Sequence, residues 1–345
     1  MNKSRLTWKH LTAYGFLILA AAAAVAVTCL VPGALPLESA AAEAEKKDFI
    51  TYVEFNVPYS ALEKAMKADI AHHDTEYPCS WVDMLALLAS QYYGDFSRYK
   101  GADLDAIIEA LSSGTPAADL AAGNTYYPYY QEVYEAVLGG LLGEYRIEVP
   151  TEGGGTEWED RYGLKGFSPI AKDFYYEHYD DFGAQRTYGY ARRHLGHDMM
   201  AQTGTPVIAI ESGTVECLGW NQYGGWRIGV RSYDKKRYYY YAHLRQNRPY
   251  AEGLEEGDEV QAGDVIGYVG HTGYSTKENV NNIKVSHLHL GMELIFDESQ
   301  KESDNEIWID LYALTQLLAQ NRSAVYRVAE TKEFYRQFQI TEPAG

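Results

Sequence analysis

Histidine is concentrated in one part of this 345-residue chain, since six of its ten histidines lie between His194 and His289. One short pattern is HLGHD at 194–198, in which a histidine and an aspartate stand four residues apart across a glycine. The other is HLH at 287–289, inside an apolar run. Alternate residues of a β-strand face the same side, so His287 and His289 would point together. Imidazole and carboxylate groups gathered in this way suit a catalytic zinc ion that keeps one coordination position open to water.

The alternative for these histidines is a set of solvated surface side chains. A strand as apolar as this one favours the zinc interpretation, because each nitrogen of a buried imidazole needs a polar partner. Within the first pattern, His197 could bind the metal in place of His194, and the residues alone leave both possibilities open. His72 and His73 lie in a predicted helix, where neighbouring side chains diverge, and are interpreted as surface residues.

The elements ahead of these motifs are predicted to be helical. Residues 49–146 have apolar side chains at helical spacing, which indicates a small helical domain. Ser60 and Glu63 form a capping box at the start of the first helix, and Ser80 precedes a second helix. Two more helices are predicted, at 103–111 and at about 129–142.

The periodicity changes to that of strands after a Gly- and Thr-rich stretch at 147–160, which is interpreted as a linker. Short runs of β-branched and tyrosine residues, separated by Gly, Asn and Asp turns, predict an antiparallel β domain at 161–300. A helix from about 308 to 320 is expected within a C-terminal helical extension, 301–345. The predicted fold class is therefore α+β, with the catalytic residues in the β domain.

The N-terminal part is predicted to anchor the chain in a membrane. Within residues 1–31, three cations precede an uncharged apolar run from Leu11 to Val31, which is long enough to span the hydrocarbon core. The positive-inside rule keeps the short tail in the cytoplasm and places the remainder outside. Residues 32–48 would be a tether. An Ala-rich stretch there could hold a signal-peptidase site, so the alternative to a single-pass protein of the cell membrane is a secreted one.

Composition excludes several functional classes. The formal charge of −18 argues against nucleic acid as a partner, because phosphates require a cationic surface. The three cysteines are too few for a disulfide scaffold or a Cys-based zinc module, so a metal would be held by histidine and carboxylate. The 31 tyrosines favour a β-rich domain, and the segment 174–190 is a candidate wall for a substrate groove.

The chain resembles the lysostaphin-type (LytM-type) peptidoglycan metalloendopeptidases over roughly residues 193–293. RHLGHD at 193–198 looks like the His-x-Gly-x-Asp motif of that family. Further pieces resemble the family in the same order: GTPVIA at 204–209, GTV at 213–215, YAHL at 241–244, a glycine-punctuated hairpin at 257–273, and HLH at 287–289.

The resemblance implies a zinc site. It makes His194, Asp198 and His289 the metal ligands, and leaves His243 and His287 as an unligated catalytic pair. One of the pair would accept a proton from a metal-activated water, and the other would stabilise the oxyanion or protonate the leaving amine. The sequence does not decide which of the two histidines has which role.

The predicted function is that of a zinc metalloendopeptidase that hydrolyses peptide bonds of bacterial peptidoglycan, in the stem peptide or the cross-bridge. The alternative is a membrane-anchored scaffold or activator of cell-wall enzymes, non-catalytic or autoinhibited, for example in a sporulation complex. The presence of every expected ligand favours the enzyme. The sequence departs from the family pattern at Lys277–Ser286, a polar insertion that is either a lid beside the site or a surface loop.

Overall fold

The computed structural model describes residues 49–188, 190–301 and 303–342. The predicted anchor and tether, 1–31 and 32–48, lie outside these residues. No helix of the described residues is long and apolar enough to cross a membrane. The described helices are α1 (Tyr59–His72), α2 (Trp81–Tyr92), α3 (Gly101–Ser112), α4 (Ala117–Leu120), α5 (Tyr127–Leu138) and α6 (Tyr312–Leu318).

The four long N-terminal helices lie close to their predicted positions, and their starts show which local signals operate. The backbone N–H of Asp83 donates to Ser80 Oγ at 3.4 Å, so this serine caps α2 as predicted. The capping box predicted at Ser60 is wrong: the N-cap of α1 is Pro58, two residues earlier, and it makes no side-chain cap. Proline at that position already holds an extended conformation that ends the preceding segment.

Antiparallel strands build the rest of the described chain, which confirms the antiparallel β-rich domain. The largest sheet has the order β11-β8-β9-β10-β13-β6-β3, with β14 also paired to β13. The strands are β1 (Leu142–Pro150), β2 (Thr156–Leu164), β3 (Tyr176–His178), β4 (Gln185–Tyr188), β5 (Tyr190–Arg193), β6 (His197–Ala201), β7 (Pro206–Ile208), β8 (Gly213–Asn221), β9 (Gly225–Ser232), β10 (Arg237–Ala242), β11 (Glu259–Val260), β12 (Val265–Tyr268), β13 (His287–Leu294), β14 (Ile307–Trp308), β15 (Val325–Arg327), β16 (Phe334–Arg336) and β17 (Ile340–Thr341).

Two predicted segments have a different structure. The supposed linker 147–160 is the centre of a β-hairpin, in which β1 and β2 pair along nine residues each. Strand β2 is mostly solvent-exposed and rich in charged residues, so it lacks the apolar alternation by which sequence reveals a strand. The C-terminal extension 301–345 holds α6, shorter than predicted, and the short strands β14 to β17 rather than further helix.

The helices pack against the β strands, and residues from Phe49 onward form one compact unit. Arg237, fully buried at the start of β10, joins the two parts. Its guanidinium donates to Glu211 at 2.8 and 3.0 Å and to the carbonyl of Ala136 in α5 at 2.7 Å. The hydroxyl of Tyr239 also donates to Glu211, at 2.7 Å. Because each buried charge has a partner, this network holds α5 on the strand that leads into the predicted catalytic residues.

Candidate active site

Three neighbouring strands bring the predicted site residues together. In the pairing of β13 with β6, His289 stands opposite Asp198, and in the pairing with β10 it stands opposite Ala242. His243 follows Ala242 directly, and His194 precedes β6 by a three-residue turn. The strand register therefore places three of the other four predicted residues around His289, and His287 lies on the same face of β13.

The side chains of His194, Asp198 and His289 form a compact triangle of potential ligand atoms. His194 Nε2 lies 2.9 Å from His289 Nδ1, and Asp198 Oδ1 lies 3.1 Å from each of these nitrogens. Zinc bonds of about 2.0–2.2 Å in a tetrahedral arrangement require edges of roughly 3.3 Å. The donor set and the spacing fit zinc. Among the described residues, these three side chains form the group whose ligand atoms lie close enough together to hold a metal ion.

Two residues that the sequence analysis missed hold these ligands from outside. The carbonyl oxygen of Asp181 lies 3.1 Å from His194 Nδ1, so it accepts that N–H and leaves Nε2 to face the metal position. Arg186 in β4 donates from Nη2 to Asp198 Oδ2 at 3.2 Å, and Asp198 Oδ1 is turned toward the two imidazoles. Such contacts fix ligand orientation in metal sites. Neither residue belongs to a sequence motif. Arg186 reaches the site through tertiary folding, because it lies in the hairpin of β4 and β5.

The metal-free site has a defined protonation state. Burial alone would raise the pKa of Asp198, but hydrogen bonds from His194 and His289 hold it well below its usual range. Burial opposes protonation of His194, yet its hydrogen bonds to Asp181 and Asp198 raise its pKa to about 9. Burial lowers the pKa of His289. At pH 7 the site therefore holds an anionic carboxylate, one neutral imidazole and one protonated imidazole.

His243 and His287 form a second pair beside the triangle. Their ring centres are 4.8 Å apart, and His287 Nε2 lies 3.7 Å from Asp198 Oδ1. His243 Nδ1 donates to the Thr272 carbonyl at 3.0 Å and His287 Nδ1 to the Val285 carbonyl at 2.8 Å. Both rings are thereby held in the tautomer that leaves Nε2 as a free base.

His243 has an uncommon backbone conformation. Its backbone φ is +61°, in the left-handed region that a non-glycine residue rarely occupies. Burial lowers its pKa well below the ordinary value, and the neighbouring His287 and His289 act in the same direction. The imidazole is therefore neutral at pH 7.

His197 is on the opposite face of β6 from Asp198 and is buried. Its Nε2 lies 3.0 Å from Nδ1 of His178, and both rings pack against Tyr312. Burial, together with His178, lowers the pKa of His197 to about 4. Strand alternation thus turns His197 away from the triangle, which leaves His194 as the histidine of this motif that faces it.

A groove of about 480 Å³ opens over the triangle and over His243, one of the second pair. Tyrosine lines it: Tyr240 comes from β10, and Tyr223 and Tyr274 come from turns, whereas residues 174–187 of the segment proposed for that role do not line it. Tyr238, Tyr239 and Tyr241 are buried. The remaining lining side chains include Arg192, Arg193, Leu195, Asn221, Glu306 and Trp308.

The insertion Lys277–Ser286 is largely solvent-exposed, and hydrogen bonds tie it to neighbouring segments. Asn279 Oδ1 accepts a hydrogen bond from Trp226 Nε1 at 2.9 Å, and its carbonyl accepts one from Gln246 Nε2 at 2.6 Å. Asn282 Nδ2 donates to the Tyr274 carbonyl at 2.6 Å. The insertion therefore fixes the turn that carries Tyr274 into the groove.

Comparisons with known proteins agree with this geometry. The sequence model of peptidase family M23 matches residues 192–302. The L-Ala--D-Glu endopeptidase of Bacillus subtilis (strain 168) is 40% identical over 124 residues, which are 36% of this chain and 36% of that protein. Lysostaphin from Staphylococcus simulans is 39% identical over 89 residues, 26% of this chain and 17% of that protein.

A solved structure from Ruminococcus gnavus, assigned as the glycyl-glycine endopeptidase lytM, is 25% identical to this chain. The match covers 76% of this chain and 96% of that one, with a TM-score of 0.48. The curated relatives are matched over about a third of their length or less. The resemblance to the lysostaphin-type peptidases is confirmed for one segment: residues 192–302 match peptidase family M23.

Proposed function

We propose that this protein is a zinc-dependent endopeptidase that hydrolyses peptide bonds of bacterial peptidoglycan. The observation that carries the proposal is the complete constellation: a triangle of two imidazoles and a carboxylate with edges of 2.9–3.1 Å lines one groove, and the two further imidazoles of His243 and His287 lie beside it. M23 peptidases in general use zinc, and the relatives named above are endopeptidases. A scaffold protein has no need of the catalytic pair, so the pair favours the enzyme.

His194 Nε2, Asp198 Oδ1 and His289 Nδ1 would hold the ion. Zinc, when bound, would supply Lewis acidity to the scissile carbonyl and to water. His243 and His287 perform the proton transfers, because the carbonyls on their Nδ1–H groups leave each Nε2 free to take or return a proton. One accepts a proton from the attacking water and the other, once protonated, donates to the leaving amine.

The candidate bonds follow from the names of the relatives. One relative is an L-Ala--D-Glu endopeptidase, which acts within a stem peptide, and another is a glycyl-glycine endopeptidase from Staphylococcus capitis. The longer match, 124 residues against 89, is to the first of these two. We therefore propose the stem peptide as the first substrate to test and the glycine bridge as the second.

We further propose that the catalytic domain acts outside the cytoplasm, held at the membrane by residues 11–31. The apolar run and the cations before it support this location. An acidic enzyme is repelled by anionic wall polymers, so tethering would supply its local concentration at the wall. Extraction of the native protein with the membrane fraction, and its accessibility to protease in intact spheroplasts, would test the anchor. Recovery from the culture medium would show instead that the segment is cleaved.

The function is tested by digesting purified peptidoglycan with the full-length protein and identifying the products by mass spectrometry. The expected result is new peptide termini that disappear with a zinc chelator and return when zinc is restored. New D-Glu or Gly termini would identify the bond. Intact peptidoglycan after incubation with protein of confirmed zinc content would contradict the enzyme and favour the scaffold.

A further inference from the structure

Arg192 occupies an unusual place in the groove. It lies half-buried in β5, and its guanidinium carbon is 5.2 Å from the ring centre of Tyr223 and 5.3 Å from that of Tyr274. Its Nη2 donates to the Tyr274 hydroxyl at 2.8 Å. The two rings orient the planar cation and keep water from its faces, as aromatic rings do for arginine in recognition sites.

Among the described residues, the charge of Arg192 has no anionic partner. Within residues 49–188, 190–301 and 303–342, it forms no ion pair, and its Nε is buried without a hydrogen-bond partner. Two other shielded arginines of this acidic chain do have an anionic partner: Arg237 pairs with Glu211 and Arg186 with Asp198. Because Arg192 is partly buried in the groove and its Nε has no hydrogen-bond partner, an anionic group of a bound ligand would supply the missing partner.

Arg192 is also held close to the proposed chemistry. The Tyr274 ring that it contacts is 5.8 Å, centre to centre, from the ring of His243. Tyr274 has a backbone φ of +48°, and Asn282 of the insertion donates to its carbonyl. Two successive side-chain contacts thus join the guanidinium to the catalytic pair, and the insertion keeps the tyrosine between them in position.

The other charged residues that line the groove do not take the place of Arg192 as a cation held beside Tyr274. Arg193 is exposed at the rim, and its positive charge has the same sign as that of Arg192. The Glu306 carboxylate accepts a hydrogen bond from Trp308 Nε1 at 2.8 Å, on the part of the groove formed by β14. The groove is therefore cationic beside Tyr274 and anionic beside Trp308.

We propose that Arg192 binds a free carboxylate of the substrate, so that this chain prefers peptides that carry a carboxylate next to the cleaved bond. This inference rests on the proposed function and narrows its substrate class. A guanidinium recognises a carboxylate through two parallel N–H donors, which the fixed orientation of Arg192 favours. A D-Glu residue linked through its γ-carboxyl leaves its α-carboxylate free beside the scissile amide, whereas the interior of a glycine bridge has no such group.

Two synthetic stem peptides would test the preference, identical except that the D-Glu α-carboxylate is free in one and converted to the carboxamide in the other. We expect the full-length wild-type protein to cleave the free acid with a kcat/KM about tenfold higher or more, mainly through KM. Arg192→Gln should lower kcat/KM for the acid by about 10- to 100-fold and leave the amide unchanged, so that the preference disappears. Arg192→Lys should restore part of it, since the charge returns without the fork.

Arg327→Gln is the matched control, because Arg327 stacks on Phe334 away from the groove and should leave both peptides unaffected. Equal cleavage of acid and amide by the wild type would overturn the inference, and so would an equal loss on both peptides in Arg192→Gln. Cleavage of glycine bridges but of neither stem peptide would also overturn it, while the proposed function would stand. Failure to digest whole peptidoglycan would overturn the proposed function and this inference with it.

Discussion

A single methyl group added at Gly196 should disable the metal site. Gly196 lies in the turn between His194 and Asp198, beneath the ring of His289. A Cβ at this position would be 2.4 Å from His289 Cε1, 2.6 Å from its Nε2 and 2.7 Å from the carbonyl oxygen of Leu290. Only glycine allows the turn to approach β13 so closely.

The size of the effect follows from these distances. Non-bonded carbon atoms in contact are about 3.5–4.0 Å apart, so the His289 ring in Gly196→Ala must move by roughly 1 Å or more. A zinc site tolerates about 0.2 Å in its ligand distances. The Leu290 carbonyl cannot move instead without disturbing the pairing of Leu290 with His197. We expect zinc affinity to fall by about 100-fold or more. Overpacking should also cost about 1–3 kcal/mol of stability, which corresponds to a Tm lower by about 2–6 °C.

Zinc affinity would be measured by competition with a chelator of known affinity, and Tm with and without zinc. Gly153→Ala is the matched control, because a Cβ at Gly153 meets nothing within 4 Å. The control should bind zinc like the wild type. Zinc affinity of Gly196→Ala within about threefold of the wild-type value, which is less than 1 kcal/mol, would refute the close packing of the turn beneath His289.

Further predictions concern the ligands, protons and packing. His289→Ala should abolish zinc retention and peptidoglycan hydrolysis, whereas His243→Ala should abolish hydrolysis and keep zinc; full hydrolysis by both variants would contradict the site. Because His194 has a pKa of about 9 in the metal-free site, zinc must displace one proton below that pH, so affinity should rise about tenfold per pH unit from 7 to 9. Titration of zinc into weakly buffered protein at pH 7.5 should release about one proton, and release of none would disprove this protonation state. Arg237→Met should leave Glu211 buried and unpaired and lower the free energy of unfolding by about 3–5 kcal/mol in urea, with partial recovery on adding Glu211→Gln. No recovery in the double variant would contradict the unpaired charge as the cause.

The local spacing of residues in the sequence was sufficient to predict part of the site. Residues two apart on a strand share a face whatever the fold, so the pairing of His287 with His289 is readable from sequence. The same rule separates His197 from Asp198, which are adjacent and therefore diverge, once the strand is known to begin at His197. Ser80 could be recognised as a helix cap because capping depends on residues within one turn.

Tertiary structure decided the rest, because strand register and loop packing join residues that are distant in the chain. Asp198 becomes the neighbour of His289 only through the register of β6 against β13. Arg186 and Arg192 reach the site on a hairpin without any motif, and a charged strand such as β2 carries no apolar alternation to reveal it. The sequence by itself determined which residue types could bind zinc, since that depends on side-chain chemistry and local spacing. Only the fold decided which of them meet and which cation is left unpaired beside them, since both depend on contacts across the sheet.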